Sequence, residues 1–363
     1  MQRIYVDNNA TTPVHPDVLR VAADSLGTVF GNASSIHKEG QTARRAIEEA
    51  RESVARLLGA AGRDVIFTSG GTESNNAAIF GAMGGGGGQH VVTTAVEHPS
   101  VLEAVSRFPF TAIRPARDGR VSAEEMIAAI RPETRLVTIM LANNETGVIQ
   151  PVAEVARVCR ERGIHVHCDA VQAAGKIDID VEQLGVDTLS VSAHKLNAPK
   201  GIGALYVRRG LSLAAHVVGG AQERRRRAGT ENVPLAAAFG AAAKLPRADV
   251  APLRDQFEAG LPPGAIVNGA EAPRIPNTSN VMFPNADAEG IVIGLDLNGI
   301  AASTGSACSS GRIEPSGVLL AMGLTPDEAK STVRFSFGRF NTSAEVERVL
   351  DVLREIVPRC RRT

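Results

Sequence analysis

The sequence predicts an α/β fold, with a large domain on a mostly parallel sheet flanked by helices and a smaller α+β domain. Three observations carry this expectation. Short apolar runs rich in β-branched residues alternate with helix-length segments through the first two thirds of the chain. At 363 residues the chain exceeds the ~150 residues usual for one domain. Its composition then shifts near residue 245, with six prolines between Leu245 and Pro276. The expected boundaries are 15–245 for the large domain, and 1–14 with 246–363 for the small one.

Residues 41–58 place Ala43, Ala46, Ile47, Ala50, Val54, Leu57 and Leu58 at three- and four-residue steps and stop at Gly59, as an amphipathic helix does. Strands follow at 64–69, 90–95, 135–142, 164–170 and 203–209, each short and apolar. The glycines at 84–88 end one helix and open a flexible connection. Beyond residue 245, DVAPLRDQFEAGL keeps helical character. NTSNVMFP, EGIVIGLDLNGI and STVRFSFGR then supply the smaller unit.

Composition excludes several classes. Lys plus Arg and Asp plus Glu each number 39, so the net charge is zero. That argues against a protein built to hold nucleic acid or anionic lipid. No run approaches the ~18 apolar residues of a membrane helix. The opening MQRIYVDNNATTP has neither the basic nor the apolar region of a secretory signal. Four cysteines without a CxxC pair read as reduced, cytoplasmic thiols rather than a disulfide framework or zinc cage.

The richest segment for chemistry is 165–203. Asp169 ends an apolar strand, Gln172 follows, and Ser192, His194 and Lys195 close a second strand-like run, TLSVSAHK. An amine so placed can form a Schiff base with an aldehyde cofactor. An aspartate from a neighbouring strand end can keep a pyridine nitrogen protonated. Taken singly, an exposed lysine and a helix-capping aspartate are the commoner readings. Thr68 to Glu73, between a strand and a helix, exposes backbone N–H groups and a helix N-terminus that suit a phosphate, although any tight turn uses such residues. His98 follows a strand and can stack on a ring or move a proton. Asn144 sits in a polar run after the strand 135–142.

His165, His167 and Asp169 alternate along one strand and share a face. They form a candidate metal ladder without a second ligand cluster, so no intrinsic metal is expected. Cys308 lies in the small, polar, glycine-containing run STGSACSSGRIEPSG, where a thiol can reach out and react. Arg334 offers a two-pronged contact to a carboxylate, or is a surface arginine.

In order along the chain stand VDNNATTPVHP, GNASSIHKEG, FTSGGTESNN, EHPSV, NNETGVIQP, HCDAVQAAGK, SAHKLNAPKGIGALYVR, RRAGTENV, TGSACSSGRIEPS and VRFSFGRFN. Together they resemble the cysteine desulfurases of the nitrogenase-associated and housekeeping iron–sulfur type, within class V of the pyridoxal-phosphate aminotransferases. The resemblance covers nearly the whole chain and implies pyridoxal-phosphate fold type I. It implies that Lys195 carries pyridoxal 5'-phosphate and later moves protons at the substrate α-carbon. Asp169 would pair with the pyridinium nitrogen, Gln172 with the ring hydroxyl, and His98 would stack over the ring. Gly71, Thr72, Ser192 and His194 would hold the phosphate, with Thr230 donated by the other subunit. Asn144 and Arg334 would orient the substrate, Arg334 on its carboxylate.

The implied reaction turns L-cysteine into L-alanine and leaves a persulfide on Cys308. A homodimer would pass this sulfur to an iron–sulfur scaffold or another thiol-bearing acceptor, Cys308 sharing at most a transient cluster with it. Two departures touch loop shape only: Asn197-Ala198 replaces the usual aromatic–glycine pair, and GNASS replaces GNPSS. A selenocysteine lyase or another class V transaminase is the alternative within the fold, and GSACSSG argues against a transaminase. A non-catalytic scaffold is argued against by the joint presence of Lys195, Asp169 and Cys308.

Overall fold

The structure, a computed structural model, describes residues 3–84, 88–305 and 314–361, which leaves Cys308 outside the described residues. Seven strands form the main sheet: Val65–Thr68, His90–Thr94, Phe110–Ile113, Thr134–Met140, His165–Asp169, Thr188–Ser192 and Gly203–Val207. Across the sheet the order is 65–68, 203–207, 188–192, 165–169, 134–140, 90–94, 110–113. Gly203–Val207 runs antiparallel to both its neighbours, and the other adjacent pairs are parallel. Helices cover the faces, so the inner strands are buried on both sides and need the continuous apolar sequence that made them legible. Phe110–Ile113 was not foreseen. It is a partly exposed edge strand of four residues, without a long apolar run.

The helix expected at 41–58 spans Lys38–Leu57. It starts early because the His37 ring accepts the Gly40 N–H at 3.2 Å and acts as its N-cap. Histidine is not among the usual capping residues. Ala43, Ile47, Ala50 and Val54 of this helix join Phe239 and Ala242 of helix Val233–Ala243 in the main core.

A second core gathers around the antiparallel strands Thr278–Met282 and Thr332–Ser336. Phe257 packs there with its ring 4.6 Å from Phe335 and 5.4 Å from Phe337. Ile4 and Val6 belong to this core, and the strand Ile4–Tyr5 pairs in parallel with Ile300–Ala301. Among the described residues no helix is long and apolar enough to cross a membrane.

One buried ion pair braces the large body. Arg51 grips Glu223 through two bonds of 2.6 and 3.0 Å, and Glu223 also accepts the Phe67 N–H at 3.1 Å. Both side chains are buried. The pair holds a turn in which Glu223, Arg224 and Arg225 adopt φ of 45°, 58° and 63°. Left-handed backbone costs ~1–2 kcal/mol per residue outside glycine, so this turn needs an external anchor. Arg51→Ala is expected to lower the unfolding free energy by about 3–5 kcal/mol, because it strands a buried carboxylate. Urea denaturation should show this as an earlier midpoint, and Arg51→Met with Glu223→Leu should lose less.

Candidate active site

The carboxyl ends of five parallel strands open onto one edge of the sheet, where α/β folds place their ligands. Strand His165–Asp169 ends on Asp169 itself. Its neighbour ends on Ser192 and passes into a 3₁₀ turn, Ala193–Lys195, which delivers His194 and Lys195. His98 caps helix Pro99–Val105 by accepting the Ser100 N–H. Gly71 and Thr72 begin helix Gly71–Met83. These groups, with Asn144 and Gln172, surround a cavity of about 270 Å³.

Nine residues named from the sequence therefore meet in one cavity: Gly71, Thr72, His98, Asn144, Asp169, Gln172, Ser192, His194 and Lys195. Arg334 does not line it, but donates to the carbonyl of the lining residue Asn144 at 3.1 Å and to Asp7 at 2.7 Å. Thr230 is exposed and does not line the cavity of its own chain. Cys308 falls outside the described residues.

Lys195 Nζ donates to the carbonyl oxygens of Asn9 and Ala10, the latter at 2.8 Å. Burial pushes its amine down to about 8, helped by the Arg334 guanidinium and opposed by Asp7 and Asp169. Asp169 accepts the Val171 N–H at 2.9 Å and the Asn75 amide at 2.7 Å. Gln172 donates to the Asn9 carbonyl and accepts from Lys176, both within 2.9 Å. Burial lowers His98, and takes His194 down to about 4 with the charge of Lys195 adding to the effect. Both imidazoles are thus neutral at pH 7.

The donor set fits pyridoxal phosphate. Helix Gly71–Met83 has no side-chain cap, since Gly70 precedes it, and its amides stand beside Ser192 and His194. That suits a phosphate dianion. The approach is close: a Cβ on Gly71 would sit 2.8 Å from Val171, and one on Gly203 would sit 2.7 Å from the Gly70 Cα. An amine with a depressed pKa and a carboxylate from the adjacent strand complete the set.

Sequence reasoning missed Asn75, Ser100 and Ala10, which also line the cavity. Asn75 carried a signal, lying one helical turn beyond Gly71 and so on the same face. The candidate metal ladder is otherwise engaged. His167 bonds Thr188 and Asn75, and His165 bonds Thr188.

This arrangement of an amine, a carboxylate and a phosphate cradle defines a class, and the chain belongs to it: residues 4–349 match the class-V aminotransferase family. Within that class the relatives are cysteine desulfurases, and this is a pyridoxal-phosphate-dependent enzyme of the cysteine desulfurase family. A cysteine desulfurase of Nostoc sp. is 44% identical over 377 residues, covering 99% of this chain and 94% of that one. The cysteine desulfurase IscS of Methanosarcina thermophila is 43% identical over 374 residues, covering 99% and 93%. Among solved structures, a NifS-like protein superposes with a TM-score of 0.89 at 34% identity, covering 98% of this chain and all of that one. SspA in complex with cysteine superposes with a TM-score of 0.86 at 35% identity, covering 93% and 100%.

The depressed amine has a measurable consequence. Only the neutral form attacks an aldehyde, and at pH 7 roughly a tenth of Lys195 is neutral, against less than about one in a thousand for an ordinary lysine. Cofactor capture by the cofactor-free protein should rise about tenfold per pH unit below 8 and flatten above it. Stopped-flow absorbance measures this, and a midpoint near 10.5 would contradict the burial argument.

Proposed function

We propose that the chain converts L-cysteine to L-alanine and moves the sulfur to Cys308 as a persulfide. The observation that carries this reading is the meeting of Lys195 and Asp169, from adjacent strand ends, in a cavity walled by Asn144. The solved relative carrying cysteine supports the substrate assignment.

When bound, pyridoxal phosphate supplies an electron sink for the pair released at the substrate α-carbon. Lys195 would hold it through Nζ and, once displaced by the substrate amine, take and return the α-proton. Asp169 would accept the ring N–H, Gln172 would meet the ring hydroxyl, and His98 would cover the ring face. The Gly71 and Thr72 amides, Ser192 and His194 would bind the phosphate. Asn144 and Arg334 would orient the substrate. The Arg334 Nε is buried without a partner among the described residues, a donor suited to the substrate carboxylate. The Cys308 thiolate then attacks the substrate sulfur. The Cβ–S bond breaks, an S–S bond forms, and a proton delivered to the former Cβ completes alanine.

We further assign the enzyme to the cytoplasm, as a homodimer that serves an iron–sulfur scaffold or another thiol-bearing acceptor. The three described cysteines are free thiols, which suits a reducing compartment. Thr230 is exposed and does not line its own chain's cavity, which suits a residue that serves the partner's phosphate. Leu26, Phe30 and Ile36 are 69%, 81% and 90% exposed along helix Pro16–Thr28 and the loop after it, an apolar face suited to a second copy. The main core, drawn almost wholly from 15–245, and the second core, drawn from 1–14 and 246–363, support that division into domains. Ile275 joins the first core, and Val96 and Met140 pack with Met282 and Leu319 across the boundary.

Cys308→Ser should retain cofactor and still bind cysteine, yet form no alanine. Cys159 and Cys168 are buried, and burial pushes the Cys159 thiol up to about 12 and Cys168 well above its ordinary value. Their serine variants, and that of Cys360, should keep turnover. Alanine release, with mass spectrometry for one added sulfur on the 306–313 peptide, checks both halves. Wild-type turnover by Cys308→Ser refutes the sulfur-acceptor role. The dimer is tested separately by mixing Lys195→Ala with Thr230→Val, each inactive alone. Subunit exchange should restore about a quarter of wild-type activity per site by random pairing. Confirmed exchange without recovery would place Thr230 in its own chain's work.

A further inference from the structure

The face shared by His165, His167 and Asp169 continues into a single hydrogen-bonded chain whose polarity can be read from one end. Asp169 accepts at both oxygens, from Val171 N at 2.9 Å and from Asn75 Nδ2 at 2.7 Å. A carboxylate cannot donate, so the nitrogen of Asn75 must face it, and Asn75 Oδ1 turns to His167. The 3.0 Å contact to His167 Nε2 then requires the proton on Nε2. That leaves Nδ1 to accept the Thr188 hydroxyl at 3.0 Å. With its hydrogen committed, Thr188 can only accept from His165 Nε2 at 3.1 Å. All five residues are buried, His167 and Thr188 completely. Burial, with His165 adding to it, takes His167 down to about 3, so the ring is neutral and has one hydrogen to give.

Asn75 also has a second branch. Its Nδ2 donates to Ser100 Oγ at 2.9 Å, and Ser100 Oγ stands 2.8 Å from His98 Nδ1. The Ser100 N–H reaches the same Nδ1 at 3.1 Å, so that atom accepts and the neutral His98 ring carries its proton on Nε2. One buried amide therefore links two groups that line the cavity, Asp169 directly and His98 through Ser100.

We propose that Asn75 and His167 are positioning residues that keep Asp169 an obligate acceptor toward the cofactor ring nitrogen, with Thr188 and His165 fixing the tautomer of His167. This rests on the role given to Asp169 above. Without the His167 donor, Asn75 is free to rotate and present its oxygen to the carboxylate, which repels it. With an acid in place of Asn75, two carboxyl groups at hydrogen-bond distance must share a proton, and Asp169 is no longer a pure acceptor.

The test uses holoenzyme. Nitrogen-15 NMR of labelled histidine should find His167 and His98 as Nε2–H tautomers, and an Nδ1–H tautomer at His167 overturns the proposal. Asn75→Asp, equal in size, should keep its cofactor but shift the visible band and lower kcat at least tenfold, with KM within twofold. His167→Leu should lower kcat about tenfold, and His167→Gln, which restores a donor, should return it to within threefold of wild type. If His167→Leu does not fold, Asn75→Asp decides. A wild-type band and kcat in Asn75→Asp overturns the proposal. Asp169→Asn, run in parallel, separates the two readings. An unchanged spectrum there refutes the role of Asp169 itself. A changed one beside an unaltered Asn75→Asp refutes the chain alone.

Discussion

A carboxylate at the end of a strand buried on both faces must have its lone pairs met, or it cannot stay there. Asp169 is in that position, with 5% exposure, and much of the site follows from satisfying it. The turn after the strand brings back the Val171 amide, and helix Gly71–Met83 brings Asn75. Neither donor is on the same strand, so the aspartate fixes the relation of one helix to the sheet edge. Parallel pairing then sets the lysine. Asp169 lies opposite Ser190 of the next strand, and Lys195 follows five residues later, beyond the same edge. The amine and the carboxylate face one cavity because adjacent strands run the same way.

The segment Asp7–Thr12 ties that edge to the second core. Asn9 donates to the Asn144 carbonyl and to Thr278, while its own carbonyl accepts from Gln172 and Lys195. Its side-chain oxygen accepts from Lys176 and Asn277. Asp7 pairs with Arg334, whose strand belongs to the second core. On the role proposed for Arg334, a substrate carboxylate would meet a guanidinium already partnered by Asp7. Binding would redistribute these hydrogen bonds across the junction between the two cores.

The parts of this arrangement differ in how well the sequence reveals them, for identifiable reasons. Buried strands need unbroken apolar runs, so the five expected strands are all present with ends displaced by a residue or two. Asp169 and Lys195 stand out because each polar group interrupts or ends such a run. Asn75 has only its helical spacing from Gly71 to mark it: an asparagine in a helix otherwise looks like solvent-facing polarity until the helix is seen against the sheet edge. The His37 cap escaped because the rule for caps favours short oxygen-bearing side chains. Arg51 and Glu223 are separated by 172 positions, and no local pattern links them. The assignments of Arg334, Thr230 and Cys308 drew on the family resemblance, since a lone arginine, threonine or cysteine has an ordinary surface reading.

The one antiparallel strand of the sheet brings its first residue, Gly203, rather than its last, to the ligand edge, opposite both Thr68 and Ser192. A side chain there would overlap the Gly70 Cα and carbonyl carbon at 2.7 Å and the Val191 carbonyl oxygen at 2.8 Å. All three obstructing atoms are main chain. In genetic terms, a lesion at position 203 has no suppressor among neighbouring side chains, because trimming a neighbour removes none of the atoms in the way. Reversion, or a shift of the main chain at Gly70 and Val191, is the route back. A screen for compensating substitutions would return these two classes and leave the surrounding core untouched.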